Sequence, residues 1–331
     1  MALSGVEIFK YLPKTNCKKC GHPTCLAFAM KLAAKQASLD QCPDASDEAK
    51  KVLGEAAAPP IRGITLGQGD KAVKIGDEIC LFRHDKKFFN PNVFAVAIKA
   101  SEAGDAAAKK IEAVKTSEID RVGQKLRVDA IAVVEESGDP AKFASVVKQV
   151  ADGAPGVPII LASKNPAAIE AGIAHCADKK PLICGASAEN AEAMAKIAKE
   201  KKASLVVSAN GLEALEALSE KVKGMGVDDL VLDPGARKAK DMIEQFTVIR
   251  RAAIKKNFKP FGFPTICFAG RDSGLAESMI AAIGVMKYAS IIVLNNVEKW
   301  KMLALLSLRQ NIYTDPQVPM QVAQNIYKVG D

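Results

Sequence analysis

Between residues 93 and 310 one pattern recurs eight times: a short apolar run followed by a longer amphipathic one. The apolar runs lie at 93–98, 128–134, 158–162, 181–184, 205–208, 230–232, 265–268 and 291–294. The amphipathic segments after them lie at 105–116, 140–151, 166–177, 189–201, 212–223, 238–256, 276–287 and 298–310. Runs such as Val93-Phe94-Ala95-Val96-Ala97-Ile98 do not alternate with polar residues, so they read as strands covered on both faces, as in a parallel sheet. Eight strand–helix units close into a (β/α)8 TIM barrel, expected here over 59–310. A doubly wound sheet more often has fewer strands and a glycine-rich first turn.

Ahead of this repeat, 63–69 and 71–83 alternate apolar and polar residues, with Gly76-Asp77 between Val73-x-Ile75 and Ile79-x-Leu81. That predicts a hairpin turning at Gly76-Asp77, able to plug the barrel's bottom. The polar, Ala-rich stretch 44–60 ends in Pro59-Pro60 and reads as a connector with a stiff exit. A barrel works through the loops after its strands. Those loops carry Asn210, Arg271 and Asn295, candidates for touching a cofactor, and the pair Glu135-Glu136, which reads as ordinary loop charge. The loop from Gly270 to Gly274 could nest a phosphate or end in a plain helix cap. No nucleophile–base pair and no catalytic residue stands out, and His22, His84 and His175 fall elsewhere.

The other constraint is Cys17-Lys18-Lys19-Cys20-Gly21-His22-Pro23-Thr24-Cys25, answered by Cys42-Pro43. Cys17, Cys20, Cys25 and Cys42 follow C-x2-C-x4-C-x16-C, a metal site rather than two disulfides in a reducing compartment. Zinc, an iron–sulfur cluster and free thiols are the alternatives. Three close cysteines and a distant Cys-Pro are the commoner layout of a 4Fe–4S cluster, placing a small domain at 1–58. Gly21 permits a tight loop, and Thr24 can cap a helix over 25–37, which sets Cys25 at its positive end. Leu26, Phe28, Ala29, Met30 and Leu32 are expected to meet Val6, Phe9, Tyr11 and Leu12 in an apolar shell. Cys80, Cys176, Cys184 and Cys267 sit among apolar neighbours and read as core cysteines.

The net charge of +8 comes from 46 basic and 38 acidic residues spread over helix after helix, with only 5% aromatic residues, unlike a nucleic-acid face. No apolar run is long enough to span a membrane, and the start lacks a signal-peptide pattern, so a cytoplasmic protein is expected.

The run Cys17-x2-Cys20-Gly21-x3-Cys25-x2-Phe28-Ala29 with Cys42-Pro43 resembles the 4Fe–4S domain of the corrinoid/iron–sulfur protein large (gamma) subunit family of the acetyl-CoA decarbonylase/synthase system. The resemblance implies the same barrel, and a linker at 311–331 toward a C-terminal corrinoid-binding domain outside these 331 residues. It implies a corrinoid whose cobalt carries methyl from a methyl-tetrahydropterin (methyltetrahydrofolate class) methyltransferase to acetyl-CoA synthase/CO dehydrogenase. The cluster would restore Co(I), and a smaller TIM-barrel subunit would complete a heterodimer. A free-standing pterin-dependent methyltransferase barrel and an iron–sulfur electron carrier are the competing readings.

Overall fold

The computed structural model describes residues 4–33, 37, 39–46, 48–49, 53, 59–85 and 87–315. It divides into two compact units, Met1–Pro59 and Pro60–Asp331.

The first unit is built on two short helices. Helix α1 (Gly5–Tyr11) starts from a capping box: the Glu7 amide donates to Ser4 Oγ, and Glu7 Oε2 accepts from the Ser4 amide at 2.8 Å. Helix α2 (Cys25–Ala33) starts at Thr24, whose Oγ1 accepts from the Ala27 amide at 3.0 Å. The expected continuation of α2 to residue 37 passes through 34–36, outside the described residues. The shell is narrower than expected. Ile8 and Leu12, four apart on α1's side of the unit, are buried with Cys25, Phe28 and Ala29, the i, i+3, i+4 stripe of α2. Val6, Tyr11, Leu26 and Met30 are exposed, because helices this short bury one stripe each. Phe9 and Leu32 pack at the margin, and Ala45, Ala49 and Leu53 complete the shell.

The second unit begins with an antiparallel hairpin, β1 (Ile64–Leu66) and β2 (Val73–Ile75), in which Ile64 faces Ile75. The hairpin exists, but its turn lies between Leu66 and Val73, through a 3-10 turn at Gly69–Lys71. At the expected turn, Gly76 and Asp77 have φ of 72° and 60°, yet the chain leaves the hairpin there. The following Ile79-x-Leu81 forms no strand, and Glu78 makes only a bridge to Ile61. Burial of Ile64, Leu66 and Ile75 decides the register over turn chemistry.

Eight parallel strands follow: β3 (Val93–Lys99), β6 (Ala130–Val134), β7 (Ile159–Ala162), β8 (Leu182–Ala186), β9 (Ser204–Ser208), β10 (Leu230–Asp233), β11 (Ile266–Phe268) and β12 (Ile291–Leu294). They run in the order β10-β9-β8-β7-β6-β3-β12-β11. A parallel bridge between Leu232 and Thr265, with the Leu232 amide donating to the Pro264 carbonyl at 2.8 Å, joins the two ends. The sheet is thereby a closed barrel, as the eightfold pattern requires.

Alternate strand residues separate into two layers. Val93, Ala95, Ala97, Ala130, Ala132, Ile160, Leu182, Val206 and Val231 fill the interior with Ile64, Leu66 and Ile75 of the hairpin. Phe94, Val96, Ile98, Ile131, Val133, Leu205 and Leu232 face the helices. The hairpin closes the end at which the strands start: the Gly67 amide donates to the carbonyl of Lys180, just before β8. The helices between strands are α3 (Asp105–Lys115), α4 (Pro140–Gly153), α5 (Pro166–Ile173), α6 (Ala191–Lys201), α7 (Leu212–Gly224), α8 (Ala239–Lys256), α9 (Gly274–Met286) and α10 (Lys299–Tyr313). The last runs three residues beyond the expected end, and 316–331 lie outside the described residues.

A small hairpin, β4 (Ile119–Arg121) with β5 (Gln124–Leu126), was not legible in the sequence. Its strands are mostly polar and only three residues long, and its turn is Val122-Gly123, both at positive φ. None of the helices among the described residues is long and apolar enough to cross a membrane.

Candidate functional site

In the N-terminal unit, Cys42 lies within electrostatic reach of Cys20, Cys17 and Cys25, and among the described residues no three His, Cys, Asp or Glu side chains are drawn together closely enough to hold one ion. Cys17 is exposed, Cys20 half-buried, and Cys25 and Cys42 buried within the apolar shell. Burial pushes the Cys42 thiol up, and the neighbouring Cys20, Cys17 and Cys25 sulfurs add to that. Cysteine sulfurs are soft donors for iron and zinc, so a set of four fits a thiolate-bound metal centre.

The loop is shaped by residues in left-handed backbone, Asn16, Lys18 and Gly21, at φ of 51°, 63° and 79°. Asn16 clasps Cys25 reciprocally. Its side-chain Oδ1 accepts from the Cys25 amide at 2.8 Å, and its own amide donates to Cys25 Sγ at 3.4 Å. Sequence reasoning passed over Asn16; its signal is an Asn directly before the first cysteine, since Asn tolerates the left-handed region. The Lys19 ammonium bonds both Asp44 oxygens at 3.1 Å, joining the Cys17–Cys20 loop to the turn after Cys42. That pairing holds the Lys19 pKa above its usual value, chiefly through the hydrogen bond to Asp44.

At the far end of the barrel from the plug, the loops after the strands surround a cavity of about 1000 Å³. Asn210, Arg271 and Asn295 all line it. Its most buried polar group, Asp233, is fully engaged: Arg237 donates to both carboxylate oxygens at 2.9 and 2.7 Å, the Gly235 amide donates at 3.0 Å and Ser208 Oγ at 3.3 Å. Arg237 also stacks on Phe268, 4.9 Å from the ring centre. This i, i+4 acid–base pair was legible as a spacing and was not singled out.

Arg271 donates to the carbonyls of Gly270 and Arg237, and Asn295 Nδ2 donates to the Arg271 carbonyl at 3.1 Å. The Gly270–Gly274 loop is thus closed by its own residues. Glu135 and Glu136 point to different partners, as expected of adjacent loop residues. Glu135 accepts from Ser163 Oγ at 3.2 Å and lines the cavity. Glu136 receives the Ala100 and Ser101 amides at 3.1 Å each. Burial works to raise the Glu136 pKa, but the Ser101 hydroxyl and these amides outweigh it and hold the carboxyl below the usual range.

Of the other cysteines, Cys176, Cys184 and Cys267 are buried in the core, and burial raises the thiol pKa of Cys176 and of Cys267 to about 12. Cys184 also borders the cavity. Cys80 is only half-buried and lies in irregular chain, because the strand expected around it does not form.

A family model described as "CO dehydrogenase/acetyl-CoA synthase delta subunit" matches residues 63–331, and one described as "Putative Fe-S cluster" matches 12–43, which contain all four cysteines. The chain is 46% identical to the corrinoid/iron-sulfur protein large subunit of Moorella thermoacetica, over 100% of this chain and 74% of that protein. It is 35% identical to the acetyl-CoA decarbonylase/synthase complex subunit gamma of Methanopyrus kandleri, over 99% of this chain and 73% of that one. A Plasmodium falciparum HPPK-DHPS triple mutant with pteroate shares the barrel at a TM-score of 0.52 and 13% identity, covering 78% of this chain and 52% of that one; this likeness concerns the fold alone. With four spaced cysteines in the first unit, a closed barrel as the second, and identity running the length of the chain, the protein belongs to the corrinoid/iron–sulfur protein large-subunit (acetyl-CoA decarbonylase/synthase gamma) family.

Proposed function

We propose that Cys17, Cys20, Cys25 and Cys42 hold one 4Fe–4S cluster, and that the chain is the electron-transfer and scaffold part of a corrinoid methyl carrier. The observation that carries this reading is the four spaced cysteines on a small unit of their own, with Cys25 and Cys42 buried in its apolar shell and Cys20 packed against it. What favours the cluster over a single zinc is the spacing, three close cysteines followed by a distant Cys-Pro, in place of two paired knuckles.

When bound, the cluster supplies one electron at low potential, the chemistry needed to return a corrinoid cobalt to Co(I). The chain's own residues set the conditions. Buried Cys25 and Cys42, backed by Phe28 and Ala29, exclude water from one side, whereas exposed Cys17 leaves an edge open to a donor. The Asn16 amide aimed at Cys25 Sγ offsets part of the negative charge on that sulfur.

In this reading the corrinoid takes methyl from a methyl-tetrahydropterin methyltransferase and delivers it to acetyl-CoA synthase/CO dehydrogenase, with a smaller barrel subunit as companion. The barrel mouth supports a scaffold over a free-standing methyltransferase, because Asp233, Arg237, Arg271 and Asn295 are bonded to one another and to the backbone.

Anaerobically purified protein is expected to contain about four iron and four sulfide per chain. Stoichiometric zinc without iron would refute the cluster. In the full-length corrinoid-loaded protein, Cys42→Ser should slow reduction by a physiological donor while methyl transfer from chemically pre-reduced Co(I) persists. Loss of that transfer, with corrinoid content intact, would overturn the division of roles.

A further inference from the structure

The barrel's interior packing ends below its mouth. Along β3, Val93, Ala95 and Ala97 face the interior, and the same alternation turns Lys99, the last residue of the strand, inward. On β12 the step from Ile291 and Val293 leads likewise to Asn295. The uppermost apolar layer beneath them is built of short side chains, Ala97, Val134, Ala162 and Cys184, with Phe268 supplying a ring. A barrel interior is normally filled by stacked layers of bulky residues. Here the top layer leaves about 1000 Å³ open, with an apolar floor and a polar rim, the make-up of a small-molecule pocket.

Charge is unevenly placed around this cavity. Strands β3, β12 and β11 are consecutive in the sheet, and their ends carry Lys99, Asn295 and Arg271. Neither Lys99 nor Arg271 forms an ion pair among the described residues. The neighbouring acids are committed elsewhere. Glu102 pairs with Lys110 at 2.8 Å, Glu136 caps the Ala100 and Ser101 amides, and Asp233 is held by Arg237. Glu135 accepts from Ser163 Oγ and the Gly138 amide. Glu189, the remaining acid of the lining, follows β8, on the opposite side of the barrel from β12. Arg271 is held in place by donating to the Gly270 and Arg237 carbonyls. Carbonyl acceptors orient a guanidinium without neutralising its charge.

We infer that the barrel mouth binds a small organic anion, with an apolar body resting on Val134, Ala162 and Phe268 and a carboxylate or phosphate head between Lys99 and Arg271. The head gains charge-assisted hydrogen bonds from two cations that the fold leaves without a counter-ion, and the floor buries the body. A neutral molecule of the same shape would leave those cations uncompensated, and a bare anion would leave the floor wet. The site needs neither the cluster nor a companion subunit, so it adds to the scaffold role without depending on it.

The test uses the full-length chain with benzoate and phenyl phosphate as probes, benzyl alcohol as the neutral match of the body, and inorganic phosphate as the bare head. Isothermal titration should give at least one of the two aromatic anions a Kd of about 1 mM or tighter, with both controls at least about tenfold weaker. Binding of benzoate alone would mark the head as a carboxylate, and binding of phenyl phosphate alone as a phosphate. The Lys99 side chain is exposed and unpaired, so Lys99→Gln should melt as wild type while its affinity falls at least about tenfold. Limited acetylation read by mass spectrometry should modify Lys99 in the free protein and spare it once the anion is bound. Lys196, exposed on α6, should react equally in both.

Benzyl alcohol binding as tightly as the anions would reduce the site to an apolar hole. Inorganic phosphate binding as tightly as phenyl phosphate would make the ligand an adventitious ion only. Lys99 already protected without a probe would assign the cavity to the chain's own residues. Each of these overturns the inference, as would unchanged affinity in Lys99→Gln or no binding of either aromatic anion. The acetylation pattern of the wild-type chain decides even if the variant does not fold.

Discussion

The unit ending at Pro59 gathers its apolar residues into one small shell around Phe28, Ala29, Ile8 and Leu12. The unit starting at Pro60 buries two full layers, one inside the barrel and one beneath the helices. The two therefore hold together by different means. A domain of about 60 residues buries too little surface to be secure without a staple, and in the proposed reading the cluster held by the four cysteines is that staple. The barrel has apolar area to spare. It can sink charged groups such as Lys301 with Glu277, and Arg250 with Glu78, as long as each has its partner.

The largest expected effect is on the small unit. Removing iron by chelation, or replacing Cys25 with Ser, should cost it several kcal/mol and melt it, because the ligand-binding energy is also its folding energy. Differential scanning calorimetry should then show the barrel transition unmoved; a barrel that melts along with it would break the contrast. Next comes Glu277→Ala, which takes the nearest carboxylate from the buried Lys301 ammonium, leaving it Asn296 and the more distant Glu298 at 3.8 Å, and should cost the barrel about 3 kcal/mol. Its melting temperature should drop by about 10 °C. The pair Glu277→Ala/Lys301→Met should recover most of that loss, while iron content and the visible spectrum of the cluster stay as in wild type.

A smaller change sharpens the comparison from the other side. Thr24→Ala removes the α2 cap next to Cys25 and should cost about 1 kcal/mol, read as faster loss of iron to a chelator with the barrel transition unaltered. The smallest effect belongs to Glu136. Its carboxyl pKa is depressed in the folded chain, so its contribution is present above the ordinary carboxylate pKa and is lost as pH falls through the lower folded value. Glu136→Gln should therefore melt slightly below wild type at neutral pH, with the difference closing in acid. A constant gap across pH would show that the carboxylate charge is not what caps Ala100 and Ser101.

Several of these features were legible before any coordinates. The spacing of Cys17, Cys20, Cys25 and Cys42 proposes its chemistry directly, because ligand type and loop length are properties of the chain. Eight apolar runs separated by amphipathic segments likewise specify a parallel barrel, since a strand buried on both faces can carry no alternation. Thr24 before an apolar run is a cap wherever it stands. The sequence by itself therefore determined the eight strand–helix units, their order and the barrel they close into, and it proposed the kind of site.

What tertiary structure alone decided are choices between locally equivalent options. The residues of β2 could have turned at Gly76-Asp77, but Ile64, Leu66 and Ile75 are all buried only when the turn lies earlier. Leu26 and Phe28 are equally apolar, yet α2 buries Phe28 and leaves Leu26 in solvent because α1 covers one stripe. Lys301 and Arg309 read as surface charge on α10. They are drawn inward by Glu277, 24 residues back, and by Asp129, 180 residues back. Periodicity is set within a turn or two of chain, whereas burial of a charge and exposure of a leucine depend on what the rest of the fold brings alongside.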